Sequence, residues 1–443
     1  MYKILVPLSR FIKNESNSGV LLILATLIAL IIANSPFENF YSDFFESTYL
    51  GVEFHNWSLK KPIYFWINDG LMAVFFLLIG LEIKRELIIG ELSKPNKAIL
   101  PVFSAVGGML FPAIIYLIFN HHNDIYANGW AIPIATDIAF ALGILSLLKN
   151  KVPIQLKVFL ISLAIIDDLG AVLSIAIFYT DTIIVQYIII ALIGWMVLII
   201  INIMGYKKLW IYLFMGVIAI WLPLLLSGVH ATIAGILVAT AIPVTRKIDS
   251  AKFIKDIGIA LNDFKSHSCS EELCNFNTGQ FNSIEKLKHY YNNVSSPLQT
   301  LENRLRNFSL FFIMPLFAFA NTGIVFKDIQ IITLFSNPLT IGIFFGLFIG
   351  KSAGITLFTY IALKLKIAKL SSKVSFLQII GIGFLSGIGF TMSIFITELA
   401  FHGDYLVNIS KISILTASTL SGIIGYIILS ISPIKSSLKL SER

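Results

Sequence analysis

The chain has 443 residues, of which 56% are hydrophobic and 13% are charged, and its formal net charge is +8 at pH 7. Its mean hydropathy of +0.84 is too high for a soluble globular protein of this length. The composition therefore excludes a soluble enzyme and predicts a polytopic membrane protein embedded in a lipid bilayer. The positive charge requires no nucleic acid partner, because membrane proteins concentrate lysine and arginine on one face.

Hydropathy predicts an all-α membrane protein with twelve transmembrane helices in a single domain over residues 1–443, since about 20 apolar residues cross a bilayer. The predicted spans lie near residues 12–34, 63–83, 98–119, 129–148, 155–180, 182–203, 209–226, 228–245, 308–326, 331–363, 374–398 and 409–432. The first apolar run has no small-residue cleavage site after it, so it is predicted as a span and not as a signal peptide.

The distribution of basic residues predicts the orientation. Of the 33 lysines and arginines, 28 fall in the termini and alternate loops of one side, four fall on the other side, and Lys351 lies inside a span. Because loops on the cytoplasmic side are enriched in lysine and arginine, both termini are predicted to be cytoplasmic.

Two loops stand out. Residues 36–62 are predicted to form an outer loop, with a short extracytoplasmic β-hairpin from Thr48 to Leu59; its exposed edge predicts a dimer contact, and a structured loop is the alternative. Residues 246–300 are predicted to form a polar cytoplasmic insert. Its cysteines, Cys269 and Cys274, are expected to be reduced thiols. A zinc site that combines them with His267 is disfavoured because zinc normally takes four ligands.

The fifth span carries two adjacent carboxyl groups at its centre, Asp167 and Asp168. Insertion of one aspartate at the middle of a membrane helix costs about 2.5 to 3.5 kcal/mol, and such residues commonly line a path for ions or protons. The alternative is a pair of carboxyl groups that neighbouring helices satisfy for folding alone. The sequence favours the functional interpretation.

The fourth and eleventh spans are predicted to be broken in mid-membrane. In the fourth, Pro133 removes a backbone donor just before Thr136 and Asp137. The eleventh contains four glycines, which let the backbone leave helical geometry at little cost. These are Gly381, Gly383, Gly387 and Gly389. Interrupted spans in the two halves of a membrane protein point to a transporter site, and ordinary glycine-mediated packing is the alternative for the eleventh.

Broken helices present partial charges inside the membrane, positive at N-terminal ends and negative at C-terminal ends. Asp137 is predicted to complement the N-terminal ends. Lys351, about a dozen residues from either end of the tenth span, is predicted to complement the C-terminal ends; extension of its side chain to the membrane surface is the alternative.

Six motifs make the chain similar to the NhaA family of sodium/proton antiporters. The motifs are NDGLMAVFFLLIGLEIKREL at 68–87, IATDIAFALG at 134–143, LAIIDDLGA at 163–171, SGVHATIAG at 227–235, PLFAFAN at 315–321 and GIGFTMSIF at 387–395. NhaA is itself one of the transporters that exemplify the rule on interrupted spans. The resemblance implies twelve spans with an inverted-topology repeat, two broken and crossed helices, a homodimer, and multi-pass insertion in the bacterial inner membrane.

The resemblance also implies roles for individual residues. The residues that match the ion-binding and transport site are Asp168, Asp167, Asp137, Thr136 and Lys351, and those that match positions of the pH response are Glu82, Arg85, Glu86, His230 and Glu302. The transported ions are expected to be Na+ or Li+ and H+, with no cofactor. The chain departs from the family pattern in its long insert and at Gln299 and Thr300, where basic residues are expected.

These residues predict a mechanism. Successive helical side chains point about 100° apart, so Asp167 and Asp168 cannot face one spot equally. The family resemblance implies that Asp168 holds the ion and that Asp167 meets Lys351. Protons and Na+ then compete for one site, and alternating access carries it across the membrane, with two protons exchanged for one Na+. The alternatives are a sodium-coupled organic-anion symporter, an intramembrane aspartyl protease and a non-transporting receptor.

Overall fold

The computed structural model describes residues 16–432 apart from 55–56, 149–150, 181–182, 246–248, 268–277, 328–335 and 372. Cys269 and Cys274 lie outside the described residues, so the expectation of free thiols stays a prediction.

Helices dominate the structure. In the first half they are α1 Ser16–Ala33, α2 Glu38–Ser42, α3 Ile63–Ile88, α4 Pro95–Asn120, α5 Asp124–Ile134, α6 Ile138–Leu147, α7 Ile154–Phe178, α8 Val185–Ile203 and α9 Leu209–Ser227. In the second half they are α10 Ile233–Ala241, α11 Ser250–Ser266, α12 Thr278–Val294, α13 over residues 297–321, α14 Pro338–Lys364, α15 Phe376–Ser386, α16 Phe390–Ala400 and α17 Asp404–Ile431. Strands β1 Tyr49–Phe54 and β2 Trp57–Pro62 pair antiparallel, with Tyr49 opposite Pro62.

Within the described ranges, seven helices are long and apolar enough to cross a membrane: α3, α4, α7, α8, α9, α14 and α17. Two further pairs meet this test only together, each bent at a short break. The pair α5 and α6 bends by 41°, and the pair α15 and α16 bends by 43°. By length and composition the structure therefore has seven spans, or nine when each bent pair counts as one. Apart from the β1–β2 pair, the described residues form an all-α membrane protein.

Some predicted span boundaries are wrong. The eighth span was expected over 228–245, but α10 has nine residues, because Gly228 at φ +83° ends α9 and a turn precedes α10. The ninth was expected to begin at 308, but α13 begins eleven residues earlier.

The early start of α13 has a local cause. The Ser296 side chain accepts a hydrogen bond from the Gln299 N–H, and Pro297 occupies the first helical position, where its missing N–H costs nothing. The predicted start of the tenth span, at residue 331, lies outside the described residues. Helix α14 begins at Pro338, where the Asn337 side chain accepts a hydrogen bond from the Leu339 N–H.

Residues 246–300 contain two helices that pack against each other, α11 and α12. Hydrophobic side chains elsewhere form two separate clusters. The larger includes Leu163, Ile343 and Phe395, and the smaller joins α8, α9 and α10 to one face of α3 and the start of α13. The broken helices belong to the larger cluster. The protein therefore has two packed units that meet along α3 and α13.

The pair α4 and α14 shows how closely helices approach in the larger unit. A Cβ on Gly354 would lie 2.1 Å from the Gly107 carbonyl oxygen, and a Cβ on Gly107 would lie 2.4 Å from the Gly354 carbonyl oxygen. Both obstacles are backbone atoms, which cannot rotate away. The Ser104 and Thr359 hydroxyl groups, 2.7 Å apart, link the same two helices.

We expect Gly354→Ala to destabilise the fold by about 1–3 kcal/mol, because the added methyl group must push α4 and α14 apart. Thermal unfolding of the purified protein in detergent should show a lower midpoint by several degrees. Gly258→Ala is the matched control, since nothing lies within 4 Å of a Cβ there. Equal midpoints for the two variants would contradict this account of the packing.

Candidate ion-binding site

The two helix breaks lie against each other in the interior. The first comprises Ala135, Thr136 and Asp137, and the second comprises residues 387–389. The Asp137 N–H donates to the Ile388 carbonyl at 2.7 Å, and the Thr136 hydroxyl lies 3.0 Å from the Ser386 carbonyl. Each break thus supplies hydrogen-bond partners to the other, as buried backbone groups require.

Asp137 joins the N-terminal ends of two half-helices. Its carboxylate accepts from the Phe140 N–H at 3.0 Å, which caps α6. It also accepts from Thr391 in the first turn of α16, through the hydroxyl at 2.5 Å and the backbone N–H at 3.3 Å. Asp137 is 1% exposed. A carboxylate here balances the partial positive charge of both helix ends.

Lys351 lies at a helix C-terminus, the end of α5. Its side chain is 0% exposed, and its Nζ lies 2.7 Å from Asp167 Oδ2. The same ammonium group donates to the carbonyl of Ile134, the last residue of α5. The lysine therefore balances both a carboxylate and the partial negative charge of a helix C-terminus, and a buried charge needs such partners.

Thr136 connects Asp167 to the second break. Its hydroxyl lies 2.9 Å from Asp167 Oδ2 and 3.0 Å from the Ser386 carbonyl oxygen. A hydroxyl group has one proton to donate, so it can serve only one of these acceptors at a time. The arrangement lets Asp167 gain or lose a hydrogen bond without movement of the backbone.

Asp168 lines a cavity of about 90 Å³. Thr136, Asp137 and Met392 form other parts of its wall. The Oδ1 atoms of Asp167 and Asp168 are both buried, and neither has a hydrogen-bond partner among the described residues. Two buried carboxylate oxygens at the centre of the protein are therefore available to a ligand.

Within the described ranges, no three His, Cys, Asp or Glu side chains come together as they do in a resident metal site. The site instead offers two carboxylate oxygens beside hydroxyl and carbonyl oxygens. Hard cations prefer oxygen ligands, and such a set binds them without the closed shell of a structural metal.

The cavity reaches Glu82 and Arg306, which belong to a charged network between α3 and α13. Arg306 Nη2 lies 3.1 Å from Glu82 and 2.7 Å from Glu302. Glu302 is 3% exposed and also lies 3.1 Å from the Arg85 Nε. Arg85 in turn lies 2.9 Å from Glu86. Four of the five residues predicted for the pH response therefore form one network at the mouth of the cavity.

The fifth, His230, lies elsewhere. Its Nε2 is 2.6 Å from the Tyr179 carbonyl oxygen, just beyond the end of α7. Helices α3 and α10 run parallel, because Gly235 packs on Ala73 and Gly80 packs on Ala239. His230 precedes α10, so it lies at the end of these helices opposite to Glu82.

Sequence reasoning assigned no role to two residues of the site. Thr391, in the GIGFTMSIF motif, binds Asp137 across 254 positions of sequence. Arg306 pairs with both Glu82 and Glu302. Its position four residues after Glu302 on one helix indicates an ion pair, and this signal was present in the sequence.

Comparison with known proteins decides the family. The sequence model of the Na+/H+ antiporter 1 family matches residues 9–429. The chain belongs to this family. It is 43% identical over 427 residues to the Na(+)/H(+) antiporter NhaA of Oleidesulfovibrio alaskensis, which covers 96% of this chain and 94% of the relative. It is also 42% identical to Na(+)/H(+) antiporter NhaA 1 of Aliarcobacter butzleri, over 97% of both chains.

The NhaA antiporter of Yersinia enterocolitica is 41% identical over 95% of each chain. The resemblance to the NhaA family is thereby confirmed, and this antiporter is a secondary transporter and not an enzyme.

We expect Arg306→Gln to lower the apparent KM of this antiporter for Na+ by about threefold at low ionic strength, because it removes a positive charge from the cavity mouth. Initial rates of Na+-dependent proton movement in everted vesicles would measure it. Arg304→Gln is the control, since Arg304 is exposed on the same helix and does not line the cavity. An equal change in both variants would show an effect of net charge alone.

Proposed function

We propose that this antiporter exchanges Na+ for H+ at Asp168, Asp167 and Thr136, with Asp168 as the primary ion ligand and Asp167 as the partner of Lys351. The observation that carries the proposal is the pair of buried carboxylate oxygens without hydrogen bonds, one of which lines the cavity. Two carboxylates, one threonine hydroxyl and water would supply the oxygen ligands that Na+ or Li+ prefers.

Competition between Na+ and protons follows from burial. Asp168 is 1% exposed and lines one cavity with Asp137, and its neighbour Asp167 is the carboxylate that Lys351 contacts. Three carboxylates and one lysine leave an excess negative charge in a medium where unbalanced charge is costly. Either Na+ or protons can balance it, and binding of one displaces the other. This exclusion is what couples the two ions.

Asp137 has a separate role in this proposal. It balances the N-terminal ends of α6 and α16 and is already hydrogen-bonded three times, so it is less available as an ion ligand than Asp168. Lys351 balances the other ends through the Ile134 carbonyl. When a proton neutralises Asp167, Lys351 loses its ionic partner and can release a proton of its own.

Alternating access would use the two packed units. The cavity lies between α3 and α13 on one side and α6, α7 and α16 on the other. One helical turn further along three of these helices, Phe76, Phe317 and Phe395 are at most 2% exposed and pack together, with ring centroids 5.4 and 6.2 Å apart. The Asn68–Asn321 pair lies beyond them. We infer that this layer closes the site on the side opposite to Glu82.

We further propose that Glu82, Arg85, Glu86 and Glu302 regulate transport with pH. The network connects α3 to α13, the two helices along which the packed units meet. Protonation of a glutamate would release an arginine and loosen this connection. His230 would act separately, through the end of α7 that it contacts.

The proposed membrane arrangement has twelve spans. The seven long helices and two bent pairs leave α1, α10 and α13 as the other three. We propose that the pairs α5–α6 and α15–α16 are the crossed, broken helices of an inverted repeat. The basic loops would face the cytoplasm of a bacterial inner membrane. The β1–β2 pair would contact a second copy in a homodimer, which native mass spectrometry would detect as two chains.

The rival functions lack support. An intramembrane aspartyl protease needs two aspartates that face each other across water, whereas Asp167 is held by Lys351. The family and its relatives carry the name of antiporters and not of symporters or receptors.

We expect Asp168→Asn to abolish Na+-dependent collapse of a pH gradient in everted vesicles, because an amide can neither release a proton nor balance Na+. The loss should exceed 100-fold, with the protein still inserted in the membrane. Asp263→Asn is the control, because Asp263 is exposed on α11 and pairs with Lys286; this variant should leave exchange intact. Full activity of the Asp168 variant would refute the assignment.

We expect exchange to be electrogenic, with two protons for one Na+, because Lys351 and the aspartates together can load two protons. A potential imposed on proteoliposomes should change the rate of Na+ movement. An inside-negative potential and an inside-positive potential should have opposite effects on that rate. Rates that do not respond to the potential would indicate electroneutral exchange and refute this stoichiometry.

A further inference from the structure

A second cavity, of about 480 Å³, lies among the first turns of α4, α7 and α15 and the loop that precedes α15. It is separate from the cavity at Asp168 and shares no lining residue with it. We call it the α7 pocket. It lies on the face of the protein with the basic loops, since Lys97 and Lys369 both line it.

Two of the three helices that begin at the α7 pocket are uncapped. Neither Lys94 before α4 nor Pro153 before α7 provides a side-chain cap. In the described part of the chain, no oxygen accepts a hydrogen bond from the Ile154 or Gln155 backbone N–H. By contrast, α15 is closed by a capping box at Ser375. The pocket therefore has free backbone donors at a positive helix end, which suits an anion.

Buried side chains in the same pocket also lack partners. Ser162 is 2% exposed and lines the pocket, yet its hydroxyl makes no hydrogen bond to any described residue. Helical serines usually donate to the carbonyl four residues earlier, as Ser104 and Ser174 do here. The Gln155 Oε1 is buried without a partner as well. These groups point to a ligand with polar atoms inside the pocket.

Charge and depth narrow the class of ligand. Lys97 is paired with Glu91 at 2.8 Å, whereas Lys369 has no acid within ion-pair distance among the described residues. Ser162 lies eight residues beyond Ile154, about 12 Å deeper along the helix. Leu100, Phe159 and Ile379 form apolar wall in the pocket. A free phosphate would occupy only the charged opening near Lys369. An anionic amphiphile would occupy both this opening and the deeper apolar part of the pocket.

We propose that the α7 pocket binds an anionic phospholipid from the leaflet on the basic face. Its phosphate lies at the N–H groups of Ile154 and Gln155 and at the Lys369 ammonium group, and a glycerol ester carbonyl accepts from the Ser162 hydroxyl. Basic pockets between membrane helices recognise lipid headgroups in this way. Because Asp167 is five residues beyond Ser162, the lipid would stabilise the position of the helix that carries the ion-binding aspartates.

The test is thermal unfolding of the delipidated full-length protein in detergent, with phosphatidylglycerol, phosphatidylcholine or inorganic phosphate added separately. We expect phosphatidylglycerol to raise the midpoint by several degrees and the other two to raise it by less than half as much. Native mass spectrometry should show the bound phosphatidylglycerol.

Variants locate the effect. The double variant Lys369→Gln, Ser162→Ala should lose at least half of the rise in midpoint that phosphatidylglycerol causes. If the double variant does not fold, Lys369→Gln alone is the test variant. Lys373→Gln is the control, because Lys373 is exposed on the same loop but does not line the pocket. Equal shifts with phosphatidylglycerol and phosphatidylcholine, an equal shift with phosphate alone, or equal losses in the control and test variants would each overturn the proposal.

Discussion

The contact of Lys351 with Asp167 and with the Ile134 carbonyl is the interaction on which the centre of this protein depends. A fully buried ammonium group loses its hydration, and only a carboxylate and a helix C-terminus at hydrogen-bond distance can balance that loss. The break after Ile134 exposes this helix end inside the membrane. A continuous helix there would satisfy its own carbonyl groups and leave the lysine without that partner.

The same break also explains why the three buried aspartates have different contacts. Residues 135–137 leave the helix so that Asp137 can cap α6 and accept hydrogen bonds from Thr391. Asp137 is bound to helix ends and Asp167 to Lys351, whereas the buried Asp168 Oδ1 has no hydrogen-bond partner in the described part of the chain. In the proposed mechanism, these three aspartates therefore have different roles, and the contacts of each side chain set its role.

Helix α7 links the regions of interest. Its middle carries Asp167 and Asp168, its start forms the α7 pocket, and its end contacts His230. A helix of 25 residues transmits a shift at one end to its centre because its backbone hydrogen bonds resist compression. In the proposed pH response, the charged network of Glu82, Arg306 and Glu302 would act on α3 and α13 instead. The effect of this network and the effect of the lipid would therefore reach the site through different helices.

Much of this could be predicted from sequence, because hydropathy and single residues carry local information. The helical membrane fold, the break after Pro133 and the family follow from composition and motifs. The starts of α10 and α13 were missed, because a left-handed glycine and a serine cap set them and hydropathy does not register such features. Thr391 was missed because its partner Asp137 lies 254 positions away in the chain. The pairing of Arg306 with Glu302, four positions away, could have been read from the sequence, but its pairing with Glu82, 224 positions away, could not.

The sequence by itself determined that charged groups would be buried in a membrane, since those residues occur within apolar runs long enough to cross it. Only the tertiary structure decided the further contacts of each carboxylate: Thr136 lies beside Asp167, Thr391 donates to Asp137, and the Asp168 Oδ1 has no hydrogen-bond partner among the described residues. The physical reason is that adjacent residues such as Asp167 and Asp168 are equivalent in hydropathy, and the approach of other helices alone makes their surroundings different.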